Sequence, residues 1–143
     1  MVREGSTRFC TVAIAHLDRS AGRSDLTVAV GGHPSPIVVR ADGRVEELES
    51  SGTLLGLVGD PKLDDVTTEL LPGDTVLLYT DGVTEAAAPH RVWTPADLIE
   101  VVAECAQGDA QHLVDHVAEA TLKGLDGPPR DDIAMLALRI APA

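Results

Sequence analysis

A continuous apolar run between two turn signals constrains the fold of this chain more than any other segment. Residues 75–80 read Thr-Val-Leu-Leu-Tyr-Thr, with Pro-Gly-Asp before the run and Asp-Gly after it. Apolar side chains on both faces of a strand are favourable only when both faces are buried, so we interpret this run as a fully buried strand. The sequence therefore predicts a layered structure in which other elements cover this strand.

Strand patterns fill the first half of the chain, and helical patterns precede the last strand. Asp42 and Gly43 separate two strand-like runs, which is a typical hairpin signal. Thr94 and Asp109 are the predicted N-caps of two helices, the first ending near Gly108 and the second before Gly124. This order predicts an α+β fold with antiparallel strands and a flanking helix pair. The predicted strands are residues 8–17, 26–30, 37–40, 45–48, 65–71, 75–80 and 133–140.

The charge balance excludes some classes of partner. The 143 residues, which we interpret as a single domain, include 23 acidic and 11 basic residues, for a net charge of -12. An acidic chain repels phosphate backbones, so we expect no nucleic-acid partner. No apolar run approaches the roughly 18 residues of a membrane span, and residues 1–6 lack the hydrophobic stretch of a signal peptide. We therefore expect no membrane contact and a cytoplasmic location.

The cysteines and histidines give weak signals. Cys10 and Cys105 lie far apart in the sequence, so we expect two buried free thiols rather than a redox pair or a zinc site. His112 and His116 lie four residues apart on a predicted helix, but no third ligand accompanies them, which favours a solvated helix face. His33 is either a ligand or general base, or an ordinary turn histidine.

Two acidic segments lie at the ends of predicted buried strands. Asp81 and Gly82 directly follow residues 75–80, and Asp131 and Asp132 directly precede the final strand. A strand end holds a carboxylate in place, and Gly82 allows close approach of a ligand or a second backbone. Carboxylates from both segments around one pocket suit Mg or Mn. The spacing alone leaves open the alternative of an ordinary turn and loop.

Five segments in this order and spacing together resemble one protein family, the stage II sporulation protein E branch of the PPM metal-dependent protein phosphatases. The most specific is the block Leu-Leu-Tyr-Thr-Asp-Gly-Val-Thr-Glu-Ala at residues 77–86, which follows Pro-Gly-Asp-Thr-Val at residues 72–76. The other four are Arg-Phe-Cys-Thr-Val (8–12), Gly-Gly-His-Pro-Ser-Pro (31–36), Leu-Leu-Gly-Leu (54–57) and Asp-Asp-Ile-Ala-Met-Leu (131–136).

The resemblance implies a fold, an activity and a set of site residues. The fold is a β-sandwich flanked by helices, and the activity is removal of phosphate from Ser or Thr of proteins with two Mn or Mg ions, which activate a bridging water. The implied partner is a phosphorylated anti-anti-sigma-type protein of a bacterial partner-switching pathway. The implied metal ligands are Asp81, Asp131 and Asp132, with Gly82, Gly32 and His33 near the site.

The segment before Arg8 departs from the family pattern. Family members carry there a Gly-Asp followed by an Asp and then a Gly-Asp-Val-x-Gly-His-Gly segment that supplies the bridging Asp, whereas residues 1–7 contain one acid, Glu4. We therefore expect a partial phosphatase domain, residues 1–143, that lacks the N-terminal portion and is inactive by itself. The alternative is a non-catalytic pseudophosphatase or regulatory protein-binding module. The sheet face left uncovered favours a homodimer or another association.

Overall fold

Strands and helices follow one another in the predicted order in the computed structural model, which describes residues 8–142. The strands are β1 (Val12–Asp18), β2 (Asp25–Gly31), β3 (Ile37–Val39), β4 (Val45–Glu47), β5 (Val66–Glu69), β6 (Thr75–Tyr79) and β7 (Met135–Arg139). The helices are α1 (Asp81–Thr84), α2 (Pro95–Ala103) and α3 (Ala110–Leu122), with a 3-10 turn at Ser20–Gly22. Within residues 8–142, none of them is long and apolar enough to cross a membrane.

The strands form two antiparallel sheets, which confirms the α+β prediction. One sheet has the order β1-β2-β5 and the other the order β4-β3-β6-β7. The predicted hairpin is confirmed, since β3 pairs with β4 around a turn in which Gly43 has a φ of 92°. Glycine adopts this left-handed conformation without a steric cost. Because β6 lies between β3 and β7, the strand with the continuous apolar run is an interior strand of its sheet.

β6 is covered on both faces, as its sequence predicts. On one face Val76 packs with Val28 and Val38 in a core between the two sheets. On the other face Leu77 and Tyr79 belong to a second core, beneath the helices. Packing on both faces fixes the backbone of β6, and with it the positions of the residues just beyond its two ends. The helices contribute Leu98, Val102, Leu113 and Val117 to the second core.

Both long helices begin at the predicted N-caps. The Thr94 hydroxyl accepts a hydrogen bond from the Asp97 N–H at 3.2 Å, and Asp97 accepts one from the Thr94 N–H at 2.7 Å. This reciprocal capping box satisfies two backbone donors at the start of α2 and lowers the pKa of Asp97. Asp109 accepts a hydrogen bond from the His112 N–H at 2.8 Å and caps α3. α2 ends at Ala103, several residues before the predicted end, because the chain turns over residues 104–107.

The edge strand β1 is more exposed than its sequence predicts. Its two faces are both apolar, and residues 8–17 were expected to lie inside a layered structure. That expectation is wrong: Ile14 is 56% exposed, because no layer among residues 8–142 covers the outer face of the β1-β2-β5 sheet. An apolar strand face thus points to solvent at this edge.

The other edge strand, β7, has one covered and one open face. Met135 and Ala137 pack against the helix-side core. Leu136 and Leu138, which alternate with them, are 62% and 36% exposed. This open strip on β7 corresponds to the uncovered apolar sheet face that the sequence analysis expects.

A buried ion pair closes the N-terminal end of β6. Asp74, only 1% exposed, accepts a hydrogen bond from Arg40 Nη1 at 2.9 Å. Its carboxylate also accepts the backbone N–H groups of Ala41, at 2.8 Å, and Leu71, at 3.0 Å. Arg40 pairs in addition with Glu46. The Asp74 carboxylate therefore links the turn that contains Ala41 to the turn that begins at Leu71.

Candidate functional site

The pairing of β6 with β7 brings the two acidic segments to one edge of the sheet. These strands run antiparallel, with Tyr79 opposite Met135. The residues that follow β6 and those that precede β7 are therefore neighbours. This register places Asp81 next to the segment that carries Asp131 and Asp132, although about fifty residues separate them in the sequence.

Thr80 fastens the two segments together. Its N–H donates to the Ala134 carbonyl at 3.0 Å, which continues the ladder one step beyond β6. Its hydroxyl accepts from the Ala134 N–H at 3.0 Å and donates to the Asp132 carbonyl at 3.1 Å. Sequence reasoning missed this role. The signal available was a hydroxyl residue directly between a buried strand and Asp-Gly.

Gly82 packs directly on the acidic segment before β7. A Cβ atom at this position would collide with the Asp132 carbonyl group and would also crowd the Asp131 carbonyl. The close approach of a second backbone, expected from the sequence, is therefore present. Gly82 lies inside α1, a single helical turn that begins at Asp81, at a place where the sequence predicts no helix. The turn has four residues, too few to show a helical period.

The three candidate ligands differ in their own hydrogen bonds. All three residues are exposed. Among the residues described, the Asp81 and Asp132 carboxylates make no side-chain hydrogen bond or ion pair. Asp131 Oδ1 accepts the Asp132 N–H at 2.8 Å, which leaves its second oxygen free of protein donors. Carboxylates without protein donors are available to a ligand, since solvent alone satisfies them.

Gly32 and His33 lie close to this edge. His33 lines a shallow depression of about 170 Å³ together with Thr80, Ala134 and Leu136. Its Nδ1 lies 3.3 Å from the Thr11 hydroxyl. Gly32, with a φ of 62°, packs against Leu54. The loop therefore places a histidine, held by a hydrogen bond, beside the end of β6.

These carboxylates do not complete a metal site. No group of three or more His, Cys, Asp or Glu residues within 8–142 is arranged to hold a metal ion. Mg and Mn require about six oxygen ligands in near-octahedral geometry, so Asp81, Asp131 and Asp132 supply at most part of the coordination. Residues 1–7, which do not contain the Gly-Asp motifs of the family, lie outside the described part of the chain.

The remaining candidates have structural explanations. His116 Nε2 lies 3.1 Å from Glu104, in accordance with a pair on the helix surface. Both cysteines are free, and Cys105 is buried, which raises the pKa of its thiol. Cys10, however, is exposed, so the expectation of two buried thiols is wrong at this position. It precedes the edge strand, where the chain makes only an isolated bridge to Leu55.

Comparison with known proteins identifies the architecture. The family model described as stage II sporulation protein E (SpoIIE) matches residues 1–141. The phosphoserine phosphatase RsbU of Bacillus subtilis is 27% identical over 135 residues, which are 94% of this chain and 40% of RsbU. Protein IcfG of Synechocystis is 24% identical over 131 residues, 91% of this chain and 20% of IcfG. The chain thus spans less than half the length of either relative.

Two solved structures show the same fold. The RsbU and RsbW domains of Rv1364c from Mycobacterium tuberculosis superpose with a TM-score of 0.73 at 28% identity, covering 93% of this chain and 37% of that one. The Mn-presoaked phosphatase domain of SpoIIE from Bacillus subtilis superposes with a TM-score of 0.74 at 17% identity, covering 92% of this chain and 56% of that one. The phosphatase-type fold implied by the sequence resemblance is therefore confirmed.

Proposed function

Because the chain belongs to the stage II sporulation protein E (SpoIIE) family, we propose that it is part of the catalytic domain of a metal-dependent protein serine/threonine phosphatase. The observation that carries this proposal is the convergence of Asp81 with the Asp131 and Asp132 segment through Thr80 and Gly82. The similarity to a phosphoserine phosphatase supports the same chemistry. We place the protein in the cytoplasm, and its substrate is a phosphorylated anti-anti-sigma-type protein of a partner-switching pathway.

We assign Asp81, Asp131 and Asp132 as ligands of Mn or Mg. Hard divalent cations favour carboxylate oxygens, and these side chains reach solvent with few protein donors. Within the described residues the ligand set is incomplete, so we expect weak metal binding and no turnover by this chain alone. The active phosphatase requires further ligands from outside residues 8–142.

Paramagnetic line broadening by Mn²⁺ tests this assignment even when binding is weak. In ¹H–¹⁵N spectra, substoichiometric Mn²⁺ should broaden the amides of residues 81–83 and 131–133 first. Asp81→Asn should abolish this selectivity, whereas Asp65→Asn, an exposed acid elsewhere on the surface, should preserve it. Broadening spread evenly over the acidic surface would contradict the assignment.

A non-catalytic binding module is the second candidate function. The observation that favours it is the lack of a three-ligand group within residues 8–142. Phosphate release from a phosphoserine peptide with Mn²⁺ distinguishes the two functions. Turnover that disappears in Asp81→Asn would exclude the binding module and would also contradict the expected inactivity of this chain. No turnover together with selective broadening would support a phosphatase site that lacks ligands.

We also propose that the open strip on β7 drives self-association into a homodimer. Leu136 and Leu138 leave apolar area in water beside an edge with unpaired backbone groups, and burial of both is favourable. Light scattering should therefore show a dimer that Leu136→Lys dissociates. Leu57→Lys, at a leucine that is 47% exposed elsewhere, should leave the dimer intact. A monodisperse monomer at high concentration would refute this proposal.

A further inference from the structure

A groove lies directly beside the candidate ligands. It has a volume of about 630 Å³ and lies between the C-terminal half of α3 and the segment that leads into β7. Leu122, Pro129 and Ile133 line it, together with Arg130, Asp131 and Asp132. The groove therefore joins an apolar wall to the candidate metal ligands in one continuous surface.

The apolar wall is open to solvent. Leu122, the last residue of α3, is 48% exposed, whereas Leu113 and Val117 of the same helix are buried. Pro128 and Pro129 line the groove opposite it, and each proline ring fixes its own φ angle. An apolar side chain entering the groove would remove this surface from water, which stabilises the complex.

Arg130 is an unpaired cation in an acidic protein. Within residues 8–142, four of the ten basic side chains, those of Arg23, Arg40, Arg44 and Lys62, form an ion pair with an acid, and six do not. Arg130 forms none with residues 8–142. Its backbone N–H donates to the Ala86 carbonyl at 3.4 Å, which ties the segment to the chain beyond α1.

We propose that this groove binds the phosphoserine segment of the substrate protein, with Arg130 on the phosphate and an apolar side chain next to the phosphoserine against Leu122 and Ile133. This inference rests on the proposed phosphatase function. Arg130 supports that occupant, because a guanidinium matches a phosphate in a bidentate hydrogen bond. Since Arg130 directly precedes Asp131 and Asp132, a phosphate held there would lie beside the candidate metal ligands. Arg130 and Leu122 are specificity-determining residues.

An NMR titration with matched heptapeptides tests the groove. The probe carries a central phosphoserine followed by leucine; one control peptide has serine in place of phosphoserine, and another has alanine in place of leucine. The phosphopeptide should shift the amides of Leu122, Arg130 and Ile133. Shifts that map to another surface would overturn the proposal.

Two pairs of variants separate the two contacts. Arg130→Gln should weaken the binding of the phosphopeptide roughly fivefold or more and leave the binding of the serine peptide unchanged, because only the phosphate contacts the cation. Arg19→Gln, an exposed arginine elsewhere, should have no effect. Leu122→Ser should weaken the binding of the leucine peptide and leave the binding of the alanine peptide unchanged. Leu57→Ser, the control, should change neither affinity. Equal effects of Arg130→Gln and Arg19→Gln would refute the phosphate contact.

The outcome is distinguishable from failure of the proposed phosphatase function. Leu122→Ser should leave the selective Mn²⁺ broadening of residues 81–83 and 131–133 intact. If the broadening is selective but the groove variants bind the peptides with unchanged affinity, only the docking inference fails. If the peptides bind as described but Mn²⁺ broadening is unselective, the metal assignment fails and the groove belongs to a binding module.

Discussion

The strand β6 has an aspartate just before it and another just after it, and the two differ in burial and in hydrogen bonding. Asp74 is 1% exposed and holds Arg40 and two backbone N–H groups. Asp81 is exposed, and its carboxylate has no hydrogen-bond partner among residues 8–142. Both acids lie next to an end of the same buried strand, which fixes the backbone position of each.

This contrast shows how to separate structural acids from candidate ligands in an acidic chain. A carboxylate whose oxygens are occupied by protein donors has nothing to offer a cation. A carboxylate on an equally well-fixed backbone but without donors keeps its oxygens available. Our assignment therefore rests on two features, a position at a strand end and carboxylate oxygens without protein donors. Both oxygens of Asp81 and Asp132 and one of Asp131 meet the second condition.

The largest effect should come from Asp74→Ala. The substitution leaves Arg40 without its buried partner and two N–H groups without an acceptor, so the free energy of unfolding should fall by about 3–5 kcal/mol. Urea denaturation measures this change. Asp42→Ala removes an exposed acid that accepts the Arg44 N–H and pairs with the Arg44 side chain, so it should cost only about 0.5–1 kcal/mol. Equal midpoints for the two variants would break the structural assignment of Asp74.

Gly82→Ala should have the next largest effect. The added methyl group meets the Asp132 carbonyl, so either α1 or the segment before β7 must shift, at a cost of about 1–3 kcal/mol. Gly59→Ala, where a Cβ meets nothing within 4 Å, is the matched control. Denaturation curves that coincide for the two variants would show that the acidic segments are not in contact.

The pH dependence of the free energy of unfolding should report the burial of the Tyr79 hydroxyl at the end of β6. Burial raises the pKa of Tyr79 to about 12, above the value near 10 of an unfolded chain. The folded state then holds its proton more tightly, so this contribution to stability is complete below pH 10 and is lost as the pH rises toward 12. Wild type should lose about 1 kcal/mol more than Tyr79→Phe between pH 9 and pH 11. Parallel pH profiles of unfolding would contradict the burial of this hydroxyl.

The smallest effect on stability should come from Asp81→Asn. An exposed side chain without protein partners contributes little to folding, so the unfolding free energy should change by less than about 0.5 kcal/mol. The same variant should lose the selective Mn²⁺ broadening. A large loss of stability, measured in the same urea series, would place Asp81 in the structural class with Asp74 and remove the contrast.

The sequence predicted the interior of this fold better than its edges. The apolar run in β6 and the caps Thr94 and Asp109 were predicted because local chemistry decides them. The exposure of Ile14 was not, since an apolar strand looks the same whether or not another layer covers it. The convergence of the acidic segments was suggested by their places at strand ends, and the role of Thr80 depends on the β6–β7 register, which no local pattern carries.

The contact between Gly82 and the Asp132 carbonyl also sets when the candidate site can form during synthesis. Asp81 is translated about fifty residues before its partner segment, which is held in place only once β7 has paired with β6. A chain in which β7 has not yet paired with β6 holds Asp81 apart from Asp131 and Asp132, so the paired carboxylates form only when these two strands meet.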